Sequence, residues 1–401
     1  MLKGGRAAFV VLGICFALSV LGRSGSETFP VFLLPVSAEF GWDRAQTVSI
    51  YSLAALSAGL ASPFVGRLFD LYGPRVVYGL GLLLLGGSFS ATAYAQALWQ
   101  LQLCVGLLIG LGGACLGNVA NSLLLGRWFG PRLPTAMAVV FAAAGIGTLM
   151  WLPVAQLLID AYGWRGAYRA IGAVLLISAI PLLLLPWRQL ASGSGQAVVA
   201  KVDHTGEGWK LSSAMRHHAF WALLSAYFFT GVGMYCVAAQ VVAYLVEAGF
   251  PPLQAATAWG FSGVLLAIGM VSVSLLDGLL GRRGAILFAY GLSVAGIIML
   301  WLLRIYPSIW LLAGFIICFG STIGSRGPLI SATAMSIFRG ERVGTIFGAI
   351  SLGSGLGAAL GSWSGGLIHD WTNSYDGVIV FALINVLLGM MPFLVVPALR
   401  R

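Results

Sequence analysis

Three charged side chains interrupt otherwise apolar runs: Arg23, Glu27 and Arg326. Arg326 stands in Ser321-Thr-Ile-Gly-Ser-Arg326-Gly-Pro-Leu-Ile330, and the next basic residue, Arg339, is roughly 20 Å further along a helix. A guanidinium stays charged and presents a rigid fork of N–H donors, so its natural partner is an oxyanion such as a carboxylate. Arg23 and Glu27 are spaced i,i+4: they can form an internal ion pair, or Glu27 can change protonation or partner. Asn118 and Asn121 are three apart and share a helix face with Ser122. Two amides opposite a guanidinium would cradle an anionic, hydrogen-bonding ligand. Tyr227, Tyr235 and Gln240 add polar groups to another apolar run, the tyrosines lying near one face at eight residues' separation. The plainer alternatives are packing for the tyrosines, and a backbone carbonyl or Glu27 as the partner of Arg326.

The elements that must position these groups are membrane spans. Of 401 residues, 59% are hydrophobic and only 8% charged, against about 25% charged in soluble chains. A charge in mid-membrane is costly and normally faces a polar interior. The apolar runs are about 20 residues long, which suits helices and is too long for barrel strands. Twelve are expected, at 8–36, 47–64, 76–95, 99–125, 135–159, 168–185, 219–245, 253–275, 285–303, 308–338, 343–368 and 377–396.

The net charge of +10 is arranged as topology. With both termini inside, sixteen Lys and Arg fall in inner segments; only Arg44, Arg165, Arg169 and Arg304 fall outside. This positive-inside pattern argues against a nucleic-acid role and predicts cytoplasmic termini in a cell (inner) membrane. No cleaved export signal is expected at the start. The five cysteines lie in apolar runs without a CxxC pair and read as packing residues. His204, His217, His218 and His369 fall in loops or at a span end and read as solvated, with no metal site among them. No cofactor is implied.

The longest polar stretch, 188–218, divides the chain into bundles at 1–187 and 219–401, and 208–218 reads as a short amphipathic helix. The halves repeat. Glu39-Phe-Gly41 matches Glu247-Ala-Gly249, and Asp70-Leu-Tyr-Gly-Pro-Arg75 matches Asp277-Gly-Leu-Leu-Gly-Arg-Arg283, at an offset of about 208 residues. Two same-sense six-span repeats are typical of a transporter class with its substrate site between the halves.

Gly66-Arg-Leu-Phe-Asp70-Leu-Tyr-Gly73-Pro-Arg75 resembles the loop pattern of the major facilitator superfamily. Glu39-Phe-Gly-Trp-Asp-Arg-Ala-Gln46 and Leu158-Ile-Asp-Ala-Tyr-Gly-Trp-Arg165 resemble its monocarboxylate-porter-like and oxalate/formate-antiporter-like branch. The resemblance implies an all-α membrane fold of two pseudo-symmetric six-helix bundles, with spans one, four, seven and ten lining a central cavity. Those spans carry all the in-span charges. Gly66, Asp70, Gly73, Arg75 and Arg127, with Asp277, Arg282 and Arg283 in the repeat, read as gating loops in which Asp70 meets a helix N-terminus or Arg127.

The chain departs from that branch at the substrate. Spans eight and eleven lack the basic residues of the oxalate/formate type, and span eight lacks the Asp/Arg pair of the animal monocarboxylate type. What remains is an organic anion, read as a monocarboxylate, taken by Arg326, Arg23, Asn118, Asn121, Tyr227, Tyr235 and Gln240, with Glu27 as the proton-coupling candidate. Protons or a counter-anion are the expected partners, in a monomer in the bilayer. The alternatives are a proton-driven efflux pump for amphipathic compounds, and a membrane receptor or embedded enzyme. No nucleotide-binding or HExxH motif supports the last.

Overall fold

The computed structural model describes residues 4–129, 133–192, 209, 211–338, 343–396 and 399. The described residues are helical, with no strand among them. In chain order the first helices are α1 (Gly4–Glu27), α2 (Phe29–Phe40), α3 (Arg44–Thr92), α4 (Leu98–Leu101), α5 (Gly110–Leu116), α6 (Asn118–Phe129), α7 (Leu133–Leu184) and α8 (Trp187–Ala191). Then follow α9 (Leu211–Ala214), α10 (His218–Ala238), α11 (Val241–Glu247), α12 (Pro252–Ile305), α13 (Ile309–Phe315), α14 (Arg326–Ile337), α15 (Val343–Thr372) and α16 (Tyr375–Val395). Stretches of π-helix fill Gln102–Ile109, before α5, and Ile316–Gly320, after α13.

Nine described segments are long and apolar enough to cross a membrane, and Ile309–Gly320 is a shorter apolar helix. Some of them hold two spans. Helices α3, α7 and α12 have 49, 52 and 54 residues, whereas about 20 cross a hydrocarbon core. Each is interrupted at one glycine of positive φ: Gly73 (77°), Gly163 (68°) and Gly281 (71°). With those breaks, all twelve expected spans have a helical counterpart.

The repeat is visible in the backbone. Gly41 and Gly249, 208 residues apart, have φ of 66° and 99°. Gly73 and Gly281, at the same offset, share positive φ with extended ψ of 176° and 161°. Only glycine takes this conformation without a steric cost, so both motifs are turns built twice.

The helices gather into two compact units, Met1–Gly41 with Ser49–Lys201, and Trp42–Val48 with Val202–Arg401. The second unit thus includes a short piece, 42–48, from the first half of the chain. Within the expected linker, 193–208 and Lys210 lie outside the described residues, and α9 is the helix that follows.

Unit 2 has a seam that explains a glycine pattern. Gly353, Gly357, Gly361 and Gly365 of α15 face the carbonyls of Leu224, Phe228, Val232 and Cys236 of α10, one per turn. A β-carbon at any of the four would lie within 3.0 Å of those oxygens. Small residues let two apolar helices approach until their backbones touch, and this close packing is one of the forces that hold helices together in lipid. In unit 1, Gly110 meets the Ala54 carbonyl of α3 in the same way, Gly106 packs on the Leu53 side chain, and Gly113 faces open space.

Candidate functional site

Helix α14 begins at Arg326, after a turn in which hydroxyls fold back on the chain. Thr322 Oγ1 donates to Cys318 O (3.0 Å) and Ser321 Oγ to the same carbonyl (3.3 Å). Such side-chain bonds compete with the helical ladder and help break it. Pro328 fits the first turn of the new helix, where backbone N–H groups have no intrahelical acceptor.

Arg326 is 2% exposed. Its Nη2 donates to Ala289 O (3.0 Å) and to Ser293 Oγ. Its Cζ lies 4.2 Å from the centroid of Tyr290. Nε and Nη1 find no acceptor. Among the described residues no carboxylate pairs with it. The ring offsets part of the desolvation, by about 2 kcal/mol for a buried cation–π contact. A buried ion still costs several kcal/mol, and the start of a helix is its positive end. An anionic oxygen at Nε or Nη1 would relieve both.

The surroundings hold this guanidinium from four sides. Tyr290 shares a hydrogen bond with Thr230 of α10 (2.7 Å) and donates to Gly389 O of α16 (2.8 Å). Ser293 is bonded to Thr322 (2.6 Å). Tyr227 donates to Gly327 O (3.0 Å), the residue after Arg326. Of the expected ligand residues in unit 2, Tyr227 therefore stands beside Arg326. Tyr235 lies two turns along α10 from Tyr227. Gln240, 1% exposed, sits at the α10–α11 break against Gly365, and neither amide atom has a partner. Tyr290, Ser293 and Thr230 were missed; Tyr290 and Ser293, three apart in an apolar run, were the available signal.

In unit 1, Arg23 Nη1 donates to Glu27 Oε1 at 2.7 Å, with the side chains 31% and 23% exposed. Gly147 of α7 packs against Val20 and Arg23, and Trp151 Nε1 donates to Val20 O (2.8 Å), which fixes this turn of α1. Asn118 and Asn121 part company despite their spacing. Asn118 is exposed at the start of α6. Asn121 is buried: it accepts from Tyr78 (3.0 Å) and donates to Ser19 (3.0 Å) and Leu116 O (3.1 Å). Its amide is therefore engaged inside its own bundle. Asn118 and Arg326, matched by the offset of 208, each open a helix that follows a π-helical stretch and a break.

At the loops, Gly73 and Gly281 form the turns, and Asp70 and Arg75 are exposed. Gly66 lies within α3. Arg127 donates to Ala191 O (3.2 Å) and lies 5.0 Å over Phe69, so the structure does not join it to Asp70. The side chains of Asp277 and Arg282 lie outside the described residues; Arg283 has a buried Nε without an acceptor.

The two branch-like stretches meet in unit 1. Glu39 accepts from Trp164 Nε1 and from Arg165, whose Cζ also lies 4.3 Å over the Trp164 ring. In unit 2 the equivalent Glu247 is met by Arg44, from the 42–48 piece. His369 is not a solvated surface group: its side chain is 17% exposed and packs on Tyr375. His217 accepts from Ala219 N at the start of α10, and His204 lies outside the described residues.

Known proteins bear on this arrangement. The chain is 25% identical over 398 residues to an uncharacterized MFS-type transporter, YcxA, of Bacillus subtilis, covering 97% of this chain and 96% of that one. It is 27% identical over 390 residues to monocarboxylate transporter 13 of Bos taurus, covering 94% and 86%. Its fold is similar to that of a bacterial homologue of the human lysosomal transporter Spinster, with a TM-score of 0.70 at 14% identity over 96% and 95% of the chains. The model of the Major Facilitator Superfamily matches residues 12–362. Because that match runs through both units, the chain as a whole belongs to the Major Facilitator Superfamily and is a multi-pass membrane transporter, not an enzyme.

Proposed function

We propose that this chain carries a small organic anion, a monocarboxylate, by alternating access, as a proton symporter or an anion exchanger. The observation that supports this best is the Arg326 guanidinium: buried, without a carboxylate, and with Nε and Nη1 free of acceptors. A substrate carboxylate is the anion that such a group lacks. Relatives named as monocarboxylate transporters cover most of the chain, which favours the same substrate class. Tyr227 lies at the same helix start; Arg23, Asn118, Tyr235 and Gln240 complete the polar set on the cavity-lining spans, and Glu27 is the proton-coupling group. The transporter works as a monomer in the inner membrane with cytoplasmic termini, and its turns at Gly73 and Gly281 gate the inner side.

A second reading rests on a groove in unit 2 lined by Phe261, Val264, Ile268, Leu312 and Ile316, which is almost wholly apolar. It favours proton-driven efflux of amphipathic compounds.

Proteoliposome uptake of labelled monocarboxylates, dicarboxylates and an amphipathic cation separates the two. Monocarboxylate uptake that Arg326→Ala abolishes is the expected result. Wild-type rates in Arg326→Ala would sink the anion site, and transport of the cation alone would establish efflux. For coupling, Glu27→Gln is expected to stop accumulation driven by a pH gradient.

A further inference from the structure

Glu247 and Asp370 lie at one end of unit 2 in a cluster that the anion site does not use. Arg44 pairs with Glu247, and its backbone N–H donates to Asp370 (2.9 Å), as does that of Ala45 (2.7 Å). Gly366 makes this possible, since a β-carbon there would lie 2.9 Å from Ala45 Cα. His369 Nδ1 is 3.7 Å from Asp370 Oδ1 and has no hydrogen-bond partner. The His369 ring lies 4.5 Å from that of Tyr375. Tyr375 is 7% exposed, and its hydroxyl lies beside Glu247 without closing a hydrogen bond.

The charges do not balance. Arg44 contributes one positive charge, and Glu247 and Asp370 two negative ones. Tyr244, 4.9 Å from Tyr375, is neutral, and the Arg304–Asp376 pair beyond it cancels itself. One positive charge would neutralise the cluster. His369 is the group able to supply it, because imidazole titrates near neutral pH. With its hydrogen on Nε2, the Nδ1 lone pair faces the Asp370 carboxylate. A proton on Nδ1 turns that repulsion into an N–H donor aimed at Oδ1. One turn further along α15 is Gly365, against which the unpartnered amide of Gln240 packs.

We propose that this end of unit 2 is a proton-uptake site: His369 Nδ1 takes the proton, Asp370 and Glu247 hold it, and Tyr375 and Gln240 are the polar groups leading inward. The site goes beyond the anion reading and rests on it only for the use made of the proton. The pattern of basic residues puts it on the outer side.

The first test needs no substrate. In purified protein with isotope-labelled histidine, the resonance lost in His369→Gln identifies His369. Its chemical shift is expected to move with pH as Nδ1 takes up the proton. In Glu247→Gln its midpoint should fall by about one unit, a tenfold loss of the protonated form at fixed pH. Asp370→Asn should act in the same direction if Glu247→Gln does not fold. A resonance that does not titrate, or whose midpoint moves in neither variant, overturns the site. The second test uses vesicles. His369→Gln should accumulate carboxylate at least tenfold less under an imposed pH gradient, yet keep counterflow exchange at equal pH. Undiminished accumulation overturns the coupling role. Failure of the anion reading shows differently: wild-type vesicles then take up no carboxylate, while the histidine titration remains decisive.

Discussion

The ring of Tyr290 lies under the guanidinium of Arg326, 4.2 Å from Cζ to centroid, and its hydroxyl ties two other helices to the same point. The tyrosine thus joins α10, α12, α14 and α16 around one charge. Tyr290→Phe keeps the ring but frees Thr230 and the Gly389 carbonyl, and should cost about 1–3 kcal/mol. Tyr290→Leu also removes the cation–π contact, a further loss of about 1–2 kcal/mol. Denaturation of the purified protein in detergent measures both. An unchanged unfolding midpoint for Tyr290→Leu would show that the ring contributes nothing to holding the charge.

Arg326→Lys separates charge from geometry. An ammonium keeps the positive charge but is a compact, strongly hydrated group without the planar fork that reaches Ala289, Ser293 and the Tyr290 face together. If a substrate carboxylate meets this group, Arg326→Lys should raise the KM for uptake by about 10–100-fold, the loss of one or two charge-assisted hydrogen bonds. Arg326→Ala should abolish uptake. Identical KM values for wild type and Arg326→Lys would place the substrate elsewhere.

The α10–α15 seam gives a prediction with its own control. Gly361 faces the Val232 carbonyl, whereas Gly355 on the same helix faces open space. Gly361→Ala should destabilise by about 1–3 kcal/mol through overpacking against backbone. Gly355→Ala should be neutral or stabilising by up to about 1 kcal/mol, the helix propensity of alanine over glycine. Equal unfolding midpoints for the two variants would mean that the seam tolerates a methyl group and that the glycine stripe is not what sets its spacing.

How much of this was legible differs by residue. Gly41, Gly73, Gly249 and Gly281 were readable, because a repeated glycine in a turn motif has one physical cause, a positive φ, at each of its positions. The spans were readable from hydropathy, since lipid leaves helices few alternatives. Directions within a helix were not. Spacing puts Asn118 and Asn121 near one face of α6, but Asn118 is the exposed first residue of that helix, whereas Asn121, almost a turn further in, is buried against Tyr78 and Ser19. The partners of Arg326 were less legible for another reason: Tyr290 and Ser293 come from a span without charge, and their spacing of three in an apolar run does not say which other span they meet. His369 read as solvated because its neighbours in sequence say nothing of Tyr375, Glu247 and Arg44, which fold around it.

Asn118 and Asn121 can be told apart by experiment, and the outcome separates scaffold from site. Asn121 satisfies Tyr78, Ser19 and the Leu116 carbonyl in a buried network. Asn121→Leu removes the shared partner and strands two hydroxyls, each worth about 1–3 kcal/mol when left unsatisfied. The variant should unfold much more readily, while the folded fraction transports with an unchanged KM. Asn118 is exposed and caps nothing by its side chain, so Asn118→Ala should leave stability within about 0.5 kcal/mol, as surface substitutions do. If its amide meets the substrate, the same variant should raise the KM several-fold. Denaturation and uptake measured on both variants give four values. A stable Asn121→Leu with a raised KM would reverse the assignment, making Asn121 the ligand and its hydrogen bonds incidental. An Asn118→Ala variant unchanged in both would remove Asn118 from the site and leave Arg326 without the counterpart that the repeat gives it.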